Sequence, residues 1–286
     1  SVKGTSYRIA DVVIYINGLP IVVIEAKSAI GKKDVWDAIE DIAVYEHEVP
    51  RLFLTNAFNM ATNGLVVRYG ATGSPKSAWA EWKDPYPMSA SAFKGNALEL
   101  GLTALLEKKR LLDILAHFIV FENDPVTGTA VKKMCRYQQY RAVNKLVARV
   151  AEGKHKRGLI WHTQGSGKSL TMAFATLKLK FHRGLVSPHL DNPNILILTD
   201  RTNLDTQITQ TFQACSLPNP EHAESINDLR KLIHSGSKGR VVLSTIHKFM
   251  DSEEPVKKSD DWVLLVDEAH RTQEKDLGAY LRLTFP

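Results

Sequence analysis

The sequence predicts an α/β protein in two parts, an α+β unit followed by a unit built on a parallel sheet. Three observations carry this. Residues 7–27, YRIADVVIYINGLPIVVIEAK, set two β-branched runs on either side of Asn17-Gly18, the strongest short-range hairpin signal. From Tyr137 onward, strand patterns alternate with helix patterns, as expected of parallel strands joined by crossover helices. Between two of those patterns, LIWHTQGSGKSLT (159–171) inserts a glycine-rich turn ahead of a helix. That arrangement cradles phosphate.

The elements follow in order. After the hairpin, DVWDAIEDIAVYEH (34–47) puts Val35, Ile39, Ile42 and Ala43 on one helical face. RLFLTN (51–56) and GLVVRYG (64–70) read as short strands, and the first unit closes near residue 85. Residues 71–90 read as a loop. Residues 97–121 carry a helical pattern, so 86–130 is expected to be a helical linker. The second unit, 131–286, opens with a helix at 137–152. A strand at 158–162, the glycine turn, and a helix at 169–181 come next. Strands at 194–200, 240–246 and 262–269 alternate with helices at 203–212 and near 225–234.

A chain of 286 residues is long enough for about two domains. Its net charge of +6 suits an anionic partner such as nucleic acid. Cys135 and Cys215 stand far apart with no CxxC, so a reducing compartment is expected. No apolar run reaches the ~18 residues of a membrane span. A soluble, cytoplasmic protein without membrane contact is the expectation.

The glycine turn has specific chemistry. Gly165 and Gly167 let the backbone approach phosphate and take positive φ. Lys168 is placed to reach β- and γ-phosphates, and the Ser169 hydroxyl to hold Mg²⁺. His162 stands where the full form of this motif has its first glycine. Further on, WVLLV runs directly into Asp267-Glu268-Ala269-His270. A carboxylate at the C-terminal end of a parallel strand sits where ligands bind in such sheets. Asp267 is placed to hold Mg²⁺, and Glu268 to activate water.

The first unit carries a second constellation. Glu25 and Lys27 are two residues apart and so share a strand face. A tight loop at Asn17-Gly18 brings Asp11 opposite residue 24 or 25. Two carboxylates can hold Mg²⁺ beside a phosphodiester, and a lysine can stabilise the developing charge. The run IVVIEAK is apolar on both faces, as in a central strand. Charges at its end are then functional or paired.

These motifs carry a resemblance. DEAH after GSGKS resembles the superfamily 2 helicases and translocases, and the D…ExK hairpin resembles the PD-(D/E)xK nuclease core. ADVVIYINGLPIVVIEAK, WHTQGSGKS, LTDRTNLDTQ and DEAHRTQ together resemble the motor subunit of type I restriction endonucleases. The resemblance implies a PD-(D/E)xK nuclease-like domain at 1–85 and the first RecA-like domain at 131–286. It implies ATP and Mg²⁺ as cofactors, with Asp11, Glu25, Ser169 and Asp267 toward metal. It places Thr163, Gly165, Ser166, Gly167, Lys168, Ser169, Asp267 and His270 at the nucleotide. Gln139 matches the adenine-reading glutamine, with Gln138 the alternative one position off.

Thr199 and Arg201, with Ser244 and Thr245, match motifs that touch the nucleic-acid backbone. Asp11, Glu25, Lys27 and Glu268 would be catalytic. The implied partners are double-stranded DNA and the methyltransferase (M) and specificity (S) subunits. In relatives a second RecA-like domain supplies arginines to the ATP site. The chain as given is therefore expected to bind ATP without turning it over well. Relatives often place Q-x3-Y on the helix after the nuclease lysine. Tyr45 fits that pattern, but Asp41 stands at the glutamine position. Two readings of Asp41 stay open, an added carboxylate that alters metal or DNA contacts and an ordinary exposed helix residue, and the second is preferred. The competing expectation is a helicase or translocase with a non-catalytic, nuclease-like docking module.

Overall fold

The computed structural model describes residues 8–123, 128–163, 165–181, 191–199, 211–212, 220–223, 225–234, 237–245 and 262–267. The chain divides into two compact units, Ser1–Arg141 and Ala142–Pro286. Both have the mixed α/β character expected.

The first unit is built on a five-stranded sheet of order β1-β2-β3-β4-β5. Its strands are β1 (Val12–Ile16), β2 (Leu19–Ala26), β3 (Phe58–Thr62), β4 (Val67–Ala71) and β5 (Ala80–Glu81). The hairpin forms as the sequence predicts. Asn17 (φ 51°) and Gly18 (φ 81°) both take the left-handed region, which a two-residue type I′ turn requires. The β1–β2 register pairs Val12 with Ile24, with an irregularity between Ile14 and Tyr15.

Strand β2 pairs antiparallel with β1 but parallel with β3. The connection from β2 to β3 must therefore cross over, and α1 (Val35–Glu48) makes that crossing. Helix α1 starts in a capping box. The Asp34 carboxylate accepts from the Trp36 N–H at 2.7 Å, and the Asp37 carboxylate accepts from the Asp34 N–H at 2.6 Å. Its buried face is Val35, Ala38, Ile39 and Ile42, packed with Val23, Ala61, Phe53 and Trp79. Burying each large aliphatic of this set contributes roughly 1.5–3 kcal/mol. Ala43, expected on this face, is exposed, and Ala38 takes its place.

Other expectations change. RLFLTN is not a strand. Pro50 opens a short helix, α2 (Pro50–Phe53), because its fixed φ suits a first helical turn. The expected long helix at 97–121 is three elements: α3 (Ala97–Leu106), α4 (Lys108–His117) and β6 (Ile119–Asn123). Glu107 makes the break. Its backbone is extended, and its carboxylate caps α4 through the N–H groups of Lys109 and Arg110. Helix α3 and β7 (Ala130–Met134), the antiparallel partner of β6, both pack on β4.

Helix α5 (Tyr137–Glu152) matches its expected span. The second unit has a four-stranded sheet, all of whose pairings are parallel, ordered β11-β8-β10-β9. Its strands are β8 (Asn194–Thr199), β9 (Glu221–His222), β10 (Val241–Thr245) and β11 (Trp262–Val266). Helices α6 (Lys168–Phe181) and α7 (Ile226–His234) agree with the sequence pattern. One core is Leu196, Leu198, Val242, Leu229 and Trp262.

The strand expected at 158–162 does not form. Those residues are coil, with Leu159 and Trp161 77% and 86% exposed. An apolar run becomes a strand only where a neighbour completes its hydrogen-bond ladder, and no described strand pairs with this one. The expected helix at 203–212 lies outside the described residues except for 211–212. No described helix is long and apolar enough to cross a membrane.

Candidate functional sites

The hairpin and α1 build the first site. Asp11 immediately precedes β1. Its Oδ2 accepts from the Ala26 N–H at 2.8 Å. One step beyond the Val12–Ile24 pair, Asp11 therefore stands at the end of β2 beside Glu25 and Ala26. Glu25 lies in a central strand and is only 3% exposed. Its Oε1 accepts from Lys27 Nζ at 2.9 Å and from the Tyr45 hydroxyl at 3.3 Å. Its Oε2 is buried and has no hydrogen-bond partner among the described residues.

Lys27 is anchored at both ends. Its backbone N–H donates to the Thr62 carbonyl at 2.8 Å. Its ammonium lies 2.6 Å from Asp41 Oδ2 as well as against Glu25. Burial disfavours the ammonium, but the hydrogen bonds to Asp41 and Glu25 outweigh it, so Lys27 is held protonated well above the ordinary lysine range. Burial also raises the Tyr45 phenol, and the charges of Glu25 and Asp41 add to the rise. Asp41 is thus not an ordinary exposed helix residue. It is one turn from Tyr45 on α1, and the two side chains reach Lys27 and Glu25 at the end of β2.

Among the described residues no group of three or more His, Cys, Asp or Glu has metal-holding geometry. The site nevertheless fits Mg²⁺. That ion is commonly held by one or two carboxylates with water completing its shell. An oxygen of Glu25 that is buried without a hydrogen-bond partner is costly unless a cation meets it.

A second polar cluster in this unit escaped the sequence reading. The Glu46 carboxylate accepts from Asn59 Nδ2 at 2.8 Å and from the Gly73 N–H at 3.1 Å. Burial raises its pKa, against those hydrogen bonds. Lys132 donates to the Asn56 carbonyl and to Thr72 Oγ1, and burial lowers its pKa. No spacing in the sequence links residues 46, 59, 73 and 132, because four separate elements bring them together.

The second unit holds the phosphate cradle. Gly165 and Gly167 have φ of 75° and 80°, a conformation that favours glycine. The turn closes through Ser166, whose N–H and hydroxyl both donate to the Thr163 carbonyl, at 3.3 and 2.6 Å. Helix α6 then starts at Lys168, so Ser169 lies in its first turn. His162 is partly buried beside Lys168. Burial and that positive charge lower its pKa, and its Nδ1 is buried without a hydrogen-bond partner among the described residues.

The C-terminal edge of the sheet collects the other residues. Asp267 follows β11, is 7% exposed, and its N–H donates to the Leu198 carbonyl at 2.9 Å. Thr199 pairs with Thr245 across β8 and β10. Asp267, Thr199 and Thr245 therefore stand in a row across three adjacent strand ends. Thr199, Ser244 and Thr245 were expected to touch DNA, yet they are 0, 1 and 5% exposed. The hydroxyls of Thr199 and Ser244 have no hydrogen-bond partner among the described residues. Strand register buries them, since all three lie inside paired strands rather than in the exits that follow. Arg201, Glu268 and His270 lie outside the described residues.

Gln139, expected at the adenine, belongs to the first unit. It is 2% exposed, and its Oε1 accepts from the Arg136 N–H at 2.8 Å, which caps α5. Its neighbour Gln138 has a buried Oε1 with no hydrogen-bond partner among the described residues.

Comparison with known proteins agrees with this division. Residues 1–78 match the family model described as type I restriction enzyme R protein N terminus, and residues 138–286 match the SWI2/SNF2 ATPase model. The chain is 34% identical over 282 residues to the type I restriction enzyme HindI endonuclease subunit of Haemophilus influenzae, covering 93% of this chain and 26% of that protein. It is 29% identical over 308 residues to the putative type I restriction enzyme MjaIXP endonuclease subunit of Methanocaldococcus jannaschii, covering 98% and 28%. The MjaVIIIP endonuclease subunit of the same organism, also putative, is 30% identical over 299 residues, covering 95% and 28%. The chain thus spans about a quarter of the length of the curated relatives it matches. With R-protein N terminus and SWI2/SNF2 ATPase in one chain, it belongs to the type I restriction enzyme R-protein family.

Proposed function

We propose that this chain is the nuclease-and-motor portion of a restriction subunit. In this reading ATP hydrolysis drives movement along double-stranded DNA, and the first unit cuts that DNA with Mg²⁺. The observation that carries it is the hairpin-borne trio of Asp11, Glu25 and Lys27, with one Glu25 oxygen buried and unpartnered.

Asp11 and Glu25 would hold the metal, which supplies a polarised phosphoryl oxygen and an acidified water. Lys27, held protonated, would stabilise negative charge building on the scissile phosphate. The Tyr45 hydroxyl orients the Glu25 carboxylate. In the second unit Lys168 would reach the β- and γ-phosphates of ATP. Ser169 and Asp267 would hold its Mg²⁺, and Thr163, Gly165, Ser166 and Gly167 would line the cradle. Glu268 would activate water, and His270 and Gln139 or Gln138 would meet the nucleotide. DNA contact at the ends of β8 and β10 would fall to Arg201 more readily than to the buried side chains of Thr199, Ser244 and Thr245. The M and S subunits are the proposed partners, the cytoplasm the proposed location, and domain limits near 85 and 131 the proposed organisation.

A second reading makes the first unit a non-catalytic docking module for the motor. The occupied state of Lys27, paired with two carboxylates, favours it. The experiment compares Lys27→Ala and Lys168→Ala in the full-length subunit reconstituted with its partner subunits. Lys27→Ala is expected to abolish DNA cutting and spare ATP hydrolysis, and Lys168→Ala to abolish ATP hydrolysis. Cutting that survives Lys27→Ala would favour the docking module.

A further inference from the structure

We propose that Asp41 is a positioning residue for cleavage, which holds the Lys27 ammonium in place over Glu25. The inference rests on the nuclease reading above. Lysine has a long, flexible stem, and a charge that must meet one phosphate oxygen needs more than one anchor. Strand β2 supplies the first, Glu25 Oε1 at 2.9 Å, and α1 supplies the second, Asp41 Oδ2 at 2.6 Å.

Both anchors sit on rigid elements. Glu25 is in a central strand, and α1 is fixed by its capping box and by buried Ile39 and Ile42. Asp41 and Tyr45 are four residues apart, so they share a helix face. One reaches Lys27 and the other Glu25, so a single helix orients both catalytic side chains. The Asp41 side chain is 36% exposed against 14% for Lys27. Asp41 therefore lies on the solvent side of the lysine, where DNA would enter. An incoming phosphate meets an ammonium already aimed, and displaces or shares the Asp41 contact. A glutamine amide oxygen can accept the same N–H, so the anchor needs an acceptor at this position rather than a charge.

The test uses the full-length subunit with its partner subunits and plasmid DNA, read by single-turnover cleavage. Asp41→Ala is expected to slow cleavage about tenfold or more. The DNA concentration giving half-maximal rate should not rise, and ATP hydrolysis should stay at the parent rate. Asp41→Gln should recover most of the loss. A merely structural role for Asp41 would not give that rescue beside an unchanged half-maximal DNA concentration. Parent-like cleavage by Asp41→Ala beside an inactive Lys27→Ala overturns the positioning role alone. So does an Asp41→Gln as slow as Asp41→Ala. A Lys27→Ala that still cuts overturns the nuclease reading, and this inference with it.

Discussion

The two candidate sites are assembled in opposite ways. In the first unit the chemistry lies between residues 11 and 45, on one hairpin and the helix that follows it. Its charged groups already contact one another: Asp11 with the Ala26 N–H, Lys27 with Glu25 and Asp41, Tyr45 with Glu25. In the second unit the groups come from residues 163 to 267, gathered where parallel strands end. There the hydroxyls of Thr199 and Ser244 and the ring nitrogen of His162 are buried without a hydrogen-bond partner among the described residues, as one oxygen of Glu25 is in the first unit. A short-range site can be pre-formed by its own secondary structure. A site gathered from distant strand ends takes its partners from the segments that leave those strands and from its ligand.

The sharpest way to break this comparison is at the buried carboxylate. Glu25→Gln keeps the shape and removes the charge, and should lower cleavage on the order of a thousandfold with ATP hydrolysis intact. Cleavage and hydrolysis assays on the same complex check it, and a joint loss would mean the two sites are not separable. Next in size is the hairpin. Gly18→Val forces a β-branched residue to φ 81° and should cost roughly 1–2 kcal/mol, measured by chemical denaturation. A smaller effect is expected at the strand ends. Thr199→Val removes an unpaired buried hydroxyl and keeps its shape, so stability should hold or rise by less than about 1 kcal/mol. A clear loss in a thermal melt would show that the hydroxyl has a partner.

The smallest effect is the pH response of Glu46. Its carboxyl is raised in the folded protein, by burial first. The folded state therefore holds this proton more tightly than the unfolded chain does. The stability it contributes is complete below the ordinary glutamate pKa and is lost as pH climbs through the elevated one. Glu46→Gln should flatten that part of the stability profile, as read from melts across the acidic range.

Legibility followed the same division. Asp11, Glu25 and Lys27 could be brought together from the sequence because Asn17-Gly18 fixes a two-residue turn, and strand periodicity does the rest. Asp41 was left between two readings, with the exposed-residue one preferred, although the means to place it were present. It is one helical turn from Tyr45, so whatever Tyr45 reaches, Asp41 faces as well. The cradle was legible because its glycines must take positive φ, as Gly165 and Gly167 do. Leu159–Trp161 misled, because an apolar run records only a willingness to pair, not a partner. The Glu46 and Lys132 cluster was invisible, since nothing local encodes a meeting of four elements.

The Asn17-Gly18 turn has a consequence for how this protein can vary. Asp11 meets the end of β2 only because six positions on one side of the turn are counted against a fixed number on the other. In the nuclease reading, a single inserted or deleted residue there would swing Asp11 to the opposite face of the sheet, while every candidate catalytic residue remained in the sequence. The turn is a ruler for the carboxylates it aligns. Damage to that spacing would disarm the proposed cleavage without touching any of the reactive groups it needs.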